Sequence, residues 1–312
     1  MAKKPTNKSK TSIKSSKSKK NSSSLLSKRG IGIALVVLVA AVVAISVSMT
    51  NASSTYTTLN YGSGVDQFEN VYASKTPNSP VVLIVHGGGW NSSPTANLEG
   101  KAALPLRAAG FTVFTVNYDD DSTQPAFPTE INDIVAATQY AEAHAAQYNG
   151  NPSEINYLGG SSGAQLAAYA AEELNSTSAG AIKSVATLSG PFDFPSLISY
   201  WSSVPPGNNA PLHLSNETTA LGCVSVATCS TAVEQKWSPD DNVTSQDCST
   251  AWLIVNGNNE LMPVAQANSM TAALKSAKCA NVTENIFADS KHAFDYWTPI
   301  KPTVISFFQA NK

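Results

Sequence analysis

The feature that most constrains the fold is a repeated alternation of short apolar runs and longer helical segments between residues 81 and 310. Residues 81–85 form an uninterrupted apolar run, which is typical of a strand buried on both faces of a sheet. Such alternation implies an α/β fold with a mostly parallel sheet and helices on both faces. Further strands are predicted at 111–118, 155–158, 185–188, 252–255 and 282–288, and helices at 98–109, 130–148, 164–174, 264–277 and 300–310.

The alternation stops between residues 194 and 248, a stretch that contains several prolines and no clear strand. Long connections in α/β proteins are often placed over the functional site. We therefore expect an insert at 194–248 near that site. A passive connector is the alternative.

An uncharged apolar segment occupies residues 30–48. A helix of this length spans about 28 Å, close to the thickness of the hydrocarbon core of a bilayer. We predict a transmembrane helix at residues 30–49, a linker at 50–64 and a folded domain at 65–312. A signal peptide that is cleaved is the alternative, although its apolar region is normally shorter.

Charge is distributed unevenly along the chain. Residues 1–29 carry ten of the 20 Lys and Arg residues and no Asp or Glu, which predicts a disordered basic tail. The positive-inside rule then places this tail in the cytoplasm and the folded domain outside. After residue 29, ten basic residues are outnumbered by 22 acidic ones. Because phosphate contacts need clustered Lys and Arg, this acidic domain argues against nucleic-acid binding.

The cysteines fit a disulfide-bonded extracytoplasmic domain, because their number is even and disulfides persist outside the cytoplasm. Cys248 and Cys279 each precede a predicted strand. If these parallel strands are neighbours, their amino-terminal ends lie close together. We therefore predict Cys248–Cys279 and, by remainder, Cys223–Cys229, while the other two pairings stay open.

A serine flanked by glycines stands between a predicted strand and a predicted helix. The sequence GGSSG at residues 159–163 matches the pattern G-x-S-x-G. In this context the glycines allow a sharp turn that exposes the central hydroxyl group. Ser161 is therefore the candidate nucleophile.

A second glycine motif, HGGGW at residues 86–90, directly follows the first predicted strand. Successive glycines can turn backbone N–H groups toward a negative charge that develops on a reacting oxygen. The candidate donors of such an oxyanion hole are Gly87, Gly88 and Gly89, together with Ser162.

The candidate general base is His292, one of four histidines in the chain. It lies in a loop after the predicted strand at 282–288, where an imidazole can reach a nucleophile on an earlier strand. Ser161 precedes His292 in the sequence, so a carboxylate that lies between them would complete the order serine, acid, histidine.

The sequences HGGGW, GGSSGAQLA and KHAF together resemble the α/β-hydrolase superfamily. The resemblance is strongest to its esterase/lipase branch, which includes hormone-sensitive-lipase-like enzymes and small carbohydrate-ester esterases. It extends over about residues 65–312, and it implies the α/β-hydrolase fold with Ser161 as nucleophile and His292 as base.

The resemblance leaves the catalytic acid open. The family pattern G-x-x-D, counted from Gly257, places Glu260 in the acid position. Counted back from Pro263, the same position holds Asn259. Asp193, which follows an earlier predicted strand, is the alternative acid.

The resemblance implies that carboxylic esters are hydrolysed through an acyl-enzyme, without a metal or an organic cofactor. The expected substrates are small-molecule or glycan esters, either short-chain acyl esters or carbohydrate esters. The uncertain acid favours one alternative, a catalytically impaired binding or scaffold module. A serine peptidase is the third interpretation.

Overall fold

The computed structural model describes residues 55–90, 100–119, 124–205 and 209–312. Within these ranges, eight strands form one sheet in the order β1-β2-β4-β3-β5-β6-β7-β8. Strands β3 to β8 are mutually parallel, while β1 pairs antiparallel with β2 and β2 antiparallel with β4. The strands are β1 (Thr57–Asn60), β2 (Phe68–Tyr72), β3 (Ser79–Val85), β4 (Thr112–Val116), β5 (Gly150–Gly160), β6 (Ile182–Leu188), β7 (Ala251–Gly257) and β8 (Val282–Phe287).

Helices alternate with the parallel strands, and the predicted α/β class with a mostly parallel sheet is confirmed. They are α1 (Gly100–Ala108), α2 (Thr129–His144), α3 (Ser162–Thr177), α4 (Phe194–Ser203), α5 (Ala210–Ala220), α6 (Thr231–Trp237), α7 (Pro239–Asn242), α8 (Val264–Ser276) and α9 (Trp297–Ala310). Short 3₁₀ turns add Ala145–Tyr148, Val226–Thr228, Ser245–Ser249 and Ala293–Tyr296.

Strand β3 shows why helices cover both faces of the sheet. Val81, Leu83 and Val85 belong to the apolar core that includes α2, α3 and α8. Val82 and Ile84 belong to the opposite core, formed with α1 and α9. Because successive side chains of a strand point to opposite faces, a strand buried on both faces is expected to be largely apolar.

The sheet begins earlier than the sequence pattern indicates. Strand β1 lies inside the range 50–64, where we expected a linker, and the folded unit begins at Thr55. Its residues are largely exposed, so an edge strand held by backbone hydrogen bonds lacks the apolar signal that marks a central strand.

The 194–248 insert is helical and contains α4, α5, α6 and α7. Both predicted disulfides are present: Cys223–Cys229 lies within the insert, and Cys248–Cys279 joins the segments that precede β7 and β8. These two strands are parallel neighbours, as the pairing argument requires.

The predicted basic tail at 1–29 and the transmembrane helix at 30–49 lie outside the described residues. Among the residues that are described, no helix is both long enough and apolar enough to cross a membrane.

Candidate active site

Ser161 lies in a strained turn between β5 and α3. Its backbone angles are φ 55° and ψ −129°, which L-residues rarely adopt. A hydrogen bond of 2.8 Å from Ser161 N to Leu188 O, at the end of β6, supports the turn. At Gly163 a Cβ atom would lie 2.1 Å from the carbonyl oxygen of His86, so only glycine allows α3 to begin this close to β3. The turn thus exposes the Ser161 hydroxyl group at the carboxyl edge of the sheet.

His292 connects this serine to Glu260. The distance from His292 Nε2 to Ser161 Oγ is 2.9 Å, and the distance from His292 Nδ1 to Glu260 Oε2 is 2.7 Å. The Glu260 side chain is fully buried, whereas the His292 side chain is 25% exposed. The three residues come from the loops that follow β5, β7 and β8, which all end at the same edge of the parallel sheet.

The two other acid positions weighed from the sequence do not form this contact. Asp193 caps the amino terminus of α4 by accepting a 2.9 Å hydrogen bond from Ser196 N. Asn259 is exposed on the loop after β7. Within the described part of the chain, Glu260 is the carboxylate that forms a hydrogen bond with His292.

Ser189 holds Glu260 in place, and the sequence interpretation did not identify it. Its Oγ donates a 2.8 Å hydrogen bond to Glu260 Oε1, which also accepts the backbone N–H of Gly257 at 2.8 Å. The same hydroxyl accepts a 2.9 Å hydrogen bond from the backbone of Ala293, next to His292. The sequence does contain a signal for Ser189, because it is a polar residue directly after β6, the strand that pairs with β5.

The glycine loop after β3 packs closely against the serine turn. A Cβ atom at Gly87 would lie 2.6 Å from Gly160 O and 2.8 Å from Ser161 Cβ, so Gly87 permits the close approach of the two loops. The backbone N–H of Gly89 donates to Ser162 Oγ at 3.0 Å and therefore faces the serine turn. The structure thus brings the candidate oxyanion donors to the nucleophile.

His86, at the start of this loop, is a buried structural residue. Its ring stacks on Tyr118 with centroids 4.2 Å apart, and Tyr118 Oη donates a 2.8 Å hydrogen bond to His86 O. Burial lowers the pKa of His86 to about 4, against smaller opposing effects of hydrogen bonds to Gly87 and Asn117. The imidazole is therefore neutral near pH 7. Of the acidic run 119–121 that follows Tyr118, only Asp119 is among the described residues.

A cavity of about 450 Å³ opens over Ser161 and His292. Gly87, Gly88, Gly89 and Ser162 also line it. Residues of the insert contribute His213, Asn216 and Glu217 from α5, in line with the expectation that the insert lies near the site. Within the described ranges, no group of three or more His, Cys, Asp or Glu residues is arranged to hold a metal ion.

Comparison with protein families identifies the chain by its central region. The model of the family described as BD-FAE matches residues 70–274, more than half of the chain. The chain belongs to the BD-FAE family. The matched region contains Ser161, Glu260 and the glycine loop, while His292 lies beyond it.

Similar curated proteins carry esterase names. Esterase LipQ of Mycobacterium tuberculosis (strain ATCC 25618 / H37Rv) is 24% identical over 241 residues, covering 73% of this chain and 53% of LipQ. Acetyl esterase of Salmonella typhi is 31% identical over 120 residues, covering 38% of this chain and 36% of that protein. The chain thus spans about half the length of LipQ, and about a third of the acetyl esterase is matched.

Solved structures share the fold. A truncated form of a carbohydrate esterase from gut microbiota has a TM-score of 0.65 and 22% identity, with 83% of this chain and 98% of the other covered. Esterase B from Lactobacillus rhamnosis (HN001) has a TM-score of 0.67 and 17% identity, covering 90% and 96%. The α/β-hydrolase fold expected from the sequence resemblance is confirmed.

Proposed function

We propose that the chain is a serine esterase that hydrolyses carboxylic esters through an acyl-enzyme. The observation that carries the proposal is the hydrogen-bonded series from Ser161 through His292 to Glu260, at the base of a cavity. A hydroxyl nucleophile, an imidazole that accepts its proton and a carboxylate that orients the imidazole are what acyl transfer requires. Membership of the BD-FAE family and the names of the similar proteins support the same reaction.

In the first half of the reaction, Ser161 Oγ attacks the ester carbonyl carbon while His292 Nε2 takes the hydroxyl proton. Glu260 accepts the N–H of His292 Nδ1, which keeps Nε2 free to receive that proton and stabilises the imidazolium. The tetrahedral intermediate collapses when the imidazolium gives its proton to the leaving alcohol. Water then attacks the acyl-enzyme by the same route and releases the acid and Ser161.

The negative charge on the carbonyl oxygen needs hydrogen-bond donors at this point. The backbone N–H groups of Gly88, Gly89 and Ser162 are our assignment, because these residues line the cavity beside Ser161. Gly89 N–H already faces the serine turn, where an oxyanion can replace the Ser162 hydroxyl group as its acceptor. Gly87 permits the close contact between the two loops and stays the alternative to Gly89 as a donor.

Hydrolysis of a series of short-chain and acetylated carbohydrate esters tests this function. The purified 312-residue chain should release acid from at least one ester, and Ser161→Ala should release none above the uncatalysed rate. Equal rates for both proteins would contradict the assignment. No hydrolysis by the unmodified chain would favour the alternative of a binding or scaffold module. The hydrogen bond between Glu260 and His292 is the main observation against that alternative.

We also propose that residues 30–49 anchor the protein in the cell membrane, with residues 1–29 in the cytoplasm and the hydrolase domain outside. The uncharged segment after a basic tail supports this orientation. Two disulfides in the domain are consistent with a compartment outside the cytoplasm. An anchored chain stays in the membrane fraction after an alkaline carbonate wash. Release into the medium with a new amino terminus near residue 50 would instead indicate a cleaved signal peptide.

A further inference from the structure

One wall of the catalytic cavity is built by α5 of the insert. A Cβ atom at Gly89 would lie 2.9 Å from Asn216 Nδ2, so this helix lies directly against the glycine loop. His213 lies about one helical turn before Asn216, lines the same cavity and is partly exposed. The insert therefore adds a second histidine, besides His292, to the space that a substrate would occupy.

The imidazole of His213 has unused hydrogen-bonding capacity. Within the described part of the chain, neither of its ring nitrogens forms a hydrogen bond, and neither is fully buried. The ring lies close enough to His292 for the two side chains to interact electrostatically. A polar ring that is unpaired, partly exposed and near the catalytic histidine can be reached by an ester bound in the cavity.

Near pH 7 the imidazole of His213 is neutral. Burial lowers its pKa from the usual value of 6.5, and the nearby His292 lowers the pKa further. A neutral imidazole has one N–H donor and one nitrogen acceptor, which suits a hydroxyl group because that group also both donates and accepts. It offers an anionic group no charge-assisted hydrogen bond. The chemistry of His213 therefore favours a hydroxyl group as its partner.

Aromatic packing holds the His213 ring in place. The ring stacks on the indole of Trp201, with centroids 4.3 Å apart and an angle of 20° between the planes. Trp201 is buried, and its indole donates a hydrogen bond to the buried carboxyl group of Glu217. A ring that is already supported in this way loses little freedom when a ligand binds, which lowers the cost of the contact.

Two other polar side chains of the cavity are less suited to select a substrate. Lys101 and Asp295 also line the cavity, but both are exposed to solvent. A contact at an exposed position replaces one made with water and contributes little free energy. His213 is partly withdrawn from water, so a group that pairs with it is discriminated more strongly from one that does not.

We propose that His213 is a specificity-determining residue whose imidazole forms a hydrogen bond with a hydroxyl group of the ester substrate. The inference rests on the proposed esterase function and adds a selective contact to it. An ester that lacks the hydroxyl group displaces water from His213 without replacing its hydrogen bond. Such an ester is therefore bound less well in the transition state.

Two pairs of esters test the proposal, because each pair compares a hydroxylated ester with one of similar shape that has no hydroxyl group. Ethyl 3-hydroxybutanoate and ethyl 3-methylbutanoate vary the acyl side, while 6-O-acetylglucose and cyclohexylmethyl acetate vary the alcohol side. Release of acid by the purified chain is followed by titration at constant pH. The ratio of the two kcat/KM values in a pair measures the preference for the hydroxylated ester.

Three variants separate the hydrogen bond from the packing of the ring. His213→Phe keeps an aromatic ring beside Trp201 but removes both ring nitrogens, and His213→Gln keeps a donor and an acceptor. His144→Phe is the matched control. The His144 ring also stacks on an aromatic neighbour, Tyr140, with centroids 3.9 Å apart, but His144 does not line the catalytic cavity.

We expect the unmodified chain to prefer the hydroxylated ester in at least one pair. His213→Phe should reduce that preference about tenfold, His213→Gln should retain most of it, and His144→Phe should leave it unchanged. His213→Leu provides the same measurement if the phenylalanine variant does not fold.

The proposal can fail separately from the esterase function. Hydrolysis without any preference, or with a preference that His213→Phe and His213→Leu leave intact, would overturn the proposal alone. Equal losses of kcat/KM on both esters of a pair would also overturn it, because a merely structural role lowers both rates together. The absence of hydrolysis above the Ser161→Ala rate would overturn the esterase function, and this proposal with it.

Discussion

Glu260→Gln removes a charge while preserving the shape of the side chain, and its effect follows from the three hydrogen bonds that Glu260 accepts. Oε1 accepts the N–H of Gly257 and the hydroxyl group of Ser189, and Oε2 accepts from His292 Nδ1. A backbone N–H can only donate, so the glutamine must place its carbonyl oxygen next to Gly257. Its NH₂ group then faces His292.

This orientation reverses the hydrogen bond to the imidazole. His292 Nδ1 has to accept from the amide, so the ring proton moves to Nε2, which then cannot take the proton of Ser161. The imidazolium that forms during the reaction also loses its counter-charge in a buried position, since the Glu260 side chain has no exposed surface. Changes of this kind in serine hydrolases cost about 10³- to 10⁴-fold in kcat, or about 4–5.5 kcal/mol of transition-state stabilisation.

Asp193→Asn makes the same acid-to-amide change at the alternative acid. Asparagine is also a good helix N-cap, so the hydrogen bond to Ser196 N can be kept and α4 should remain stable. Steady-state hydrolysis of the best short-chain ester should show the large loss only for Glu260→Gln, with less than a threefold change for Asp193→Asn. A large loss at Asp193 together with near-normal activity at Glu260 would refute the reasoning.

Three further predictions concern positioning and stability. Ser189→Ala should lower kcat about tenfold with little change in KM, because Glu260 and the backbone of Ala293 each lose a hydrogen bond. A change in KM without a change in kcat would contradict this prediction. The double substitution Cys248→Ser and Cys279→Ser should reduce the free energy of unfolding by about 4 kcal/mol, and the same change at Cys223 and Cys229 by about 2 kcal/mol. The difference arises because the first disulfide joins residues 31 positions apart and the second joins residues only 6 positions apart. Urea titration of tryptophan fluorescence measures both, and the reverse order would contradict the loop-length argument. Burial lowers the pKa of His86 in the folded chain to about 4, so the unfolded chain binds a proton at this residue more readily. The free energy of unfolding should therefore decrease as the pH falls from about 6.5 toward 4, by at most about 3 kcal/mol. Unfolding at pH 7 and pH 5 should show a smaller pH difference for His86→Gln than for the unmodified chain.

The central sheet could be predicted from the sequence because its strands are buried on both faces. Each of the strands from β3 to β7 contains a predicted apolar run, and the alternation with helices determines that they are parallel. The sequence pattern does not predict β1 and β2, because β1 is an exposed edge strand and β2 contains two buried polar residues, Glu69 and Asn70. Strand β2 also pairs with β4 through backbone contacts that are distant in sequence.

The site could be predicted in part. Ser161 and His292 are marked by local motifs, and the structure places them within hydrogen-bonding distance. Glu260 was ambiguous because the loop after β7 can be aligned from either end. Its position is decided by a contact with Ser189, which is 71 residues away. Ser189 carries no motif, since its importance comes from what the fold places beside it.

The central claim is that Ser161 is the activated nucleophile, and reaction with a fluorophosphonate followed by mass spectrometry tests it most directly. The account predicts one covalent adduct per chain, located on Ser161, with much slower labelling of Glu260→Gln and none at this site in Ser161→Ala. Ser162→Ala controls for the neighbouring hydroxyl group and should still be labelled. An unlabelled chain, or an adduct on Ser162 or another serine, would contradict the account.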